Sequence, residues 1–222
     1  MNTIAALTLL SALAAPTFPV TARLVPGAAP QVELKNTGDR AVTAWNFAVI
    51  SPTSTGTHRE DHSADVYLSE VTRNLARAPQ HLDWLRAGES RTIPVDTAPA
   101  GATVEIVALV FDDGTAIGDP KAIADVFTRR ATERDQLKKV VDTFNASLQS
   151  QRGVAALEDL RQRFAAGGDE SVPNRSAREA VESWLQKAKD APEDQVEQPV
   201  RAYLAFVMKQ YEAAAKHSRR KQ

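Results

Sequence analysis

From about residue 18 to 118 apolar residues recur with a period of two in short segments punctuated by turn signals, and after residue 119 they recur with helical spacing. The first rhythm is that of strands, whose successive side chains face opposite ways; the second is that of amphipathic helices. Residues 18–25 alternate loosely and stop at Pro26-Gly27, with Pro19 suiting a sheet edge. Within residues 31–35, Val32 and Leu34 share one face, and Glu33 and Lys35 the other. Asn36-Thr37-Gly38-Asp39 follows as a turn, because Asn, Gly and Asp tolerate positive φ or bond their own backbone. Residues 41–50 predict a longer strand. Val42, Ala44, Asn46, Ala48 and Ile50 lie on one face, and Thr43, Trp45, Phe47 and Val49 on the other, bulkier and inward one. Residues 51–64, rich in Ser, Thr, Gly and His, predict an exposed loop. Residues 66–75 read either as a helical turn, through Leu68, Val71 and Leu75, or as a strand opening at Val66-Tyr67-Leu68.

Further strands are expected at 91–95 and 103–111, after turns at 87–89 and 99–101. The second half of 103–111 is apolar on both faces, as in a central strand. Asp113-Gly114 suits a tight hairpin turn. Asp119-Pro120 then opens a helix running to about residue 150, since Asp caps and Pro fits the first turn. Its stripe is Ile123, Val126, Phe127, Leu137, Val140, Val141, Phe144 and Leu148, interrupted over 129–136, where a solvent-facing stretch is expected. A second helix covers 154–166 and stops at Gly167-Gly168. A third opens at Ser176 with a capping-box pattern, and a fourth covers 196–216 with Pro199 in its first turn. The pattern is α+β: an antiparallel β-sandwich over 17–118, a helical region of three or four helices over 119–217, and a basic tail at 218–222.

Composition adds an address. The run from residue 4 to residue 15 is apolar or small, too short to span a bilayer, and fits the core of a signal peptide. Ala12-Leu13-Ala14 supplies the small residues a signal peptidase needs, so residues 1–14 are expected to be removed and the chain to be periplasmic or secreted. Met1-Asn2-Thr3 lacks the customary basic residue. With no cysteine there is no disulfide, thiolate metal site or cysteine nucleophile. A net charge of −1 argues against nucleic acid as a partner. Residues 15–118 carry 8 Lys/Arg against 12 Asp/Glu, and residues 119–222 carry 19 against 16, a weak complementarity between the halves.

The stretch from Val32 through Asn36-Thr37-Gly38-Asp39 to Val42 resembles bacterial immunoglobulin-like modules of the CARDB and FxLyD kind. Leu85-Arg86-Ala87-Gly88-Glu89-Ser90, followed by Arg91-Thr92-Ile93-Pro94-Val95, is similar to their later turn and strand. The resemblance spans about residues 18–117, departs between 51 and 84, and implies an exported interaction module. It transfers no catalytic residue.

Two clusters carry candidate chemistry. His58, Asp61, His62 and Asp65, with Glu60 among them, form the densest set of metal-ligand types, and a His pair at i, i+4 would share a metal if the segment were helical. In a loop the same residues are a solvated polar stretch. Trp84 and the basic run of Arg129, Arg130 and Arg134 are candidates for contact with a partner or an anionic envelope surface; the alternative is a docking tryptophan and a solvated helix face. No phosphate loop, dinucleotide fingerprint or nucleophile elbow occurs, and no cofactor is implied. The expected function is therefore a non-catalytic module of the bacterial envelope that binds another envelope protein. The alternatives are a metal-dependent hydrolase on the 58–65 segment and an oligomer formed through the Ile123-to-Leu148 stripe.

Overall fold

A computed structural model of the chain describes residues 17–25, 27, 29–72, 84–188 and 192–221, so the expected signal segment lies outside the described residues. The chain is α+β. Among the described residues seven strands come first: β1 (Val20–Val25), β2 (Gln31–Asn36), β3 (Val42–Thr53), β4 (Gly56–Asp65), β5 (Ser90–Pro94), β6 (Thr103–Phe111) and β7 (Ala116–Gly118). They form two antiparallel sheets, ordered β1-β2-β5 and β4-β3-β6-β7. Val20, Val32 and Leu34 of the first sheet close against Trp45, Phe47, Val49, Leu109 and Phe111 of the second. Each such side chain, removed from water, contributes roughly 1.5–3 kcal/mol.

The segment read as a loop is a strand. β3 runs on to Thr53, and β4 returns antiparallel from Thr53↔Gly56 to Ala44↔Asp65. Its polar composition concealed it. β4 is exposed over its first four residues, and only from Glu60 onward is any of it shielded. A sheet-edge strand of charged residues also resists pairing with other chains.

Two bulges bend the simple alternation of the central strands. Val42 pairs with Phe111 and Ala44 with Val110, which leaves Thr43 as an extra residue; Asn46 pairs with Ala108 and Phe47 with Ile106, which leaves Val107 extra. An extra residue re-aims its neighbours and raises the local twist. Val42 therefore joins Trp45 in the sandwich core, and Thr43 turns its hydroxyl to the outer side. Along β6, Val104 and Ile106 face the core, then Leu109 and Phe111 do, while Ala108 and Val110 look outward. Gly118 (φ +118) permits the second bulge: a Cβ there would lie 2.2 Å from the Val107 carbonyl oxygen.

One turn of helix, α1 (Ser69–Thr72), follows β4; four longer helices are α2 (Pro120–Ser150), α3 (Gly153–Ala166), α4 (Val172–Lys187) and α5 (Glu193–His217). Asp119 caps α2 by accepting from the Ala122 N–H. The N-terminal third of α2 lays Ile123, Val126 and Phe127 on Ala44, Ala108 and Val110, the outer face of the second sheet. Its remainder buries Leu137, Val140, Val141, Phe144 and Leu148 among α3, α4 and α5. The stripe is thus used twice within the chain, which leaves it no free face for a second copy. α4 opens earlier than expected, after Ser171 with Pro173 in the first turn, so Ser176 lies inside it. α5 also begins earlier, placing Pro199 in its interior. Among the described residues no helix is long and apolar enough to cross a membrane.

Candidate functional site

Where α2 crosses the second sheet it leaves a groove along its flank. β3 supplies the floor through Asn46, β4 one wall through Arg59 and Asp61, β6 contributes Glu105, and α2 the other wall through Lys121, Ala122 and Asp125. The groove encloses about 880 Å³. A second recess of about 430 Å³ continues it past Ser63, Thr128 and Arg129, again floored by Asn46. Period two puts Arg59, Asp61 and Ser63 on this side of β4. Arg59 reaches Asp61 at 3.0 Å and Glu105 at 3.2 Å. These are exposed pairs, worth little to stability and free to rearrange around a ligand. The amide oxygen of Asn46 is buried without a hydrogen-bond partner. Buried acceptors are almost always paired, which sets Asn46, a lining residue of both recesses, apart.

A second polar cluster is closed. Arg130, one residue from the groove's Arg129, is 0% exposed. Its Nε donates to Asp65 at 2.9 Å and its Nη2 to Asp65 at 2.7 Å, a forked pair. Nη2 also donates to Thr43 Oγ1 at 3.0 Å, and Nη1 to the His217 carbonyl at 3.2 Å. The guanidinium carbon lies 4.7 Å from the Tyr67 ring centroid. Tyr67 donates its hydroxyl to Glu133 at 2.5 Å, and burial followed by that carboxylate holds the phenol well above its ordinary range. Sandwich, α2 and the end of α5 are therefore tied through one side chain.

The candidate metal set does not converge. His58 and His62 lie on one face of β4, Asp61 and Asp65 on the other. His58 is exposed; His62 stacks on Phe47, ring centroids 4.9 Å apart, with its Nε2 2.8 Å from Glu60 Oε1. Asp61 pairs with Arg59, and Asp65 is engaged by Arg130. Among the described residues no group of three His, Asp or Glu side chains is placed to hold a metal ion.

Of the expected contact residues, only Arg129 is exposed and lines a recess. Arg130 is the buried hub, so the interruption of the α2 stripe at this position is an inward cation rather than a solvent-facing stretch. Arg134 is half-buried, with its Nη1 3.4 Å from Ser218 Oγ. Trp84 packs edge-on against His217, centroids 5.6 Å apart, and donates its indole N–H to the Tyr67 carbonyl at 3.4 Å. Sequence reasoning passed over Asn46 and Thr43. Asn46 was legible as the one amide on an otherwise apolar strand face; the Thr43 bulge left no signal. No family model matches the sequence, and no curated protein or solved structure matches the chain.

Proposed function

We propose that this chain is an exported, non-catalytic binding module of the bacterial envelope, which takes a segment of another envelope protein into the groove between α2 and the β4-β3-β6 face. The observation that carries the reading is the Asn46 amide oxygen, buried and unpartnered at the floor where both recesses meet. A bound segment would present an N–H or O–H donor there, with Asp61, Glu105 and Asp125 favouring a cationic neighbour over an anionic one. The strand order β1-β2-β5 facing β4-β3-β6-β7 supports an immunoglobulin-like sandwich as the frame. The engagement of Arg130, Asp65, Tyr67 and Glu133 with one another supports a structural part for the buried charges.

A photo-crosslinking residue at Thr128, beside the groove, tests this in native envelope extract, with the same residue at exposed Lys209 as control. The reading expects one protein captured from Thr128 and none from Lys209, and loss of that capture in Asn46→Ala. Equal capture from both positions, or capture indifferent to Asn46→Ala, contradicts it.

A further inference from the structure

The basic tail folds back onto the sandwich. α5 ends at His217, a residue only 3% exposed, whose carbonyl accepts from Arg130. The imidazole sits 5.9 Å from the Tyr67 ring and 5.6 Å from the Trp84 ring. Beyond it the chain returns to the sandwich, where the Lys221 N–H donates to the Gly114 carbonyl at 2.9 Å. Gly114 (φ +85) admits this approach, since a Cβ would lie 2.9 Å from the Arg219 carbonyl oxygen. The segment from His217 to Lys221 therefore spans from the helical bundle to the β6–β7 turn.

We infer that this segment is a clasp holding the bundle on the sandwich, and that acid releases it by protonating His217. The surroundings decide the direction. Arg130 and Lys216 oppose a second cation; Asp65 would favour one but is already spent on Arg130. From the other elements, Tyr67 and Trp84 offer ring surface, Glu133 is engaged by Tyr67, and Arg134 reaches Ser218. A helix C-terminus ordinarily favours a protonated imidazole. Here burial, then Arg130 and Lys216, depress the ring to about 4 from its ordinary 6.5. The neutral ring's contribution is thus complete above pH 6.5, is lost as pH falls toward 4, and changes no further below that. Taken to completion the shift corresponds to about 300-fold in the closed-to-open ratio.

The test uses the full chain with fluorine-labelled tryptophan, titrated from pH 7.5 to 3.5. A Trp84 signal that shifts between pH 6.5 and 4 while Trp45 stays fixed is the expected result, with His217→Gln abolishing the step. Glutamine keeps a polar side chain that does not titrate, so whatever pH response survives belongs to the carboxylates. Should that variant fail to fold, direct titration of the His217 ring in the unaltered chain still decides. A midpoint near 6.5 with no Trp84 shift overturns the proposal, and so does a pH step that persists undiminished in a folded His217→Gln.

Discussion

Arg129 and Arg130 are neighbours in sequence and opposite in fate. One is exposed at the rim of a groove whose ion pairs are loose; the other is wholly buried, with four of its five N–H groups matched to acceptors. Composition does not separate the two regions, since both contain arginine, aspartate and a hydroxyl side chain. Burial does. In the junction the Arg130 guanidinium is wholly buried and must find fixed partners, which makes the arrangement rigid and intolerant. In the groove, Arg59, Asp61 and Glu105 are exposed and stay available. The junction is suited to hold two layers together, and the groove leaves its charged side chains exposed.

The largest effect is expected at the junction. Arg130→Ala strands Asp65, whose side chain is only 15% exposed, and should cost about 3–5 kcal/mol in urea unfolding. Replacing both partners with leucine or methionine should recover most of that loss, because no charge is then left buried alone. Recovery would show that the pair specifies the docking more than it stabilises it. Gly118→Ala should follow at roughly 1–3 kcal/mol from backbone strain alone, before the clash with Val107 is counted. Thr43→Val removes a hydroxyl that donates to the Val110 carbonyl at 3.2 Å and accepts from Arg130, a loss of about 1–3 kcal/mol. In the groove, Asn46→Ala should change stability by less than about 1 kcal/mol while abolishing partner capture, since its buried oxygen has no bond to lose. Arg129→Ala should fall within about 0.5 kcal/mol. An Asn46 variant as destabilised as the Thr43 variant would erase the distinction between the regions.

The division into strands and then helices was legible because the change of period near residue 119 is abrupt, and the α2 stripe was readable residue by residue. The face assignment of β3 was half legible. Trp45, Phe47 and Val49 point inward as their bulk demands, but a bulge is an extra residue with no compositional mark, so Val42 and Thr43 exchanged sides. β4 was missed because a charged strand at a sheet edge has the composition of a loop; its partner β3, not its own residues, defines it. The metal reading needed a helical segment to set His58 and His62 side by side; on a strand the two histidines face one way and Asp61 and Asp65 the other, so the four residues do not meet. Arg130 was read as a surface cation because arginine is seldom buried, and only a partner 65 positions away in sequence makes burial tolerable. Long-range pairing of this kind has no local signature.

The chain carries a tryptophan in each region: Trp45 in the sandwich core, Trp184 against the bundle core and Trp84 at the junction. Fluorine signals from all three, followed through urea unfolding at neutral pH, test most directly whether the Arg130 hub makes sandwich and helices one cooperative body. The account predicts a single shared midpoint in the unaltered chain, and separate midpoints for Trp45 and Trp184 in Arg130→Ala. Separate midpoints already present in the unaltered chain would contradict it.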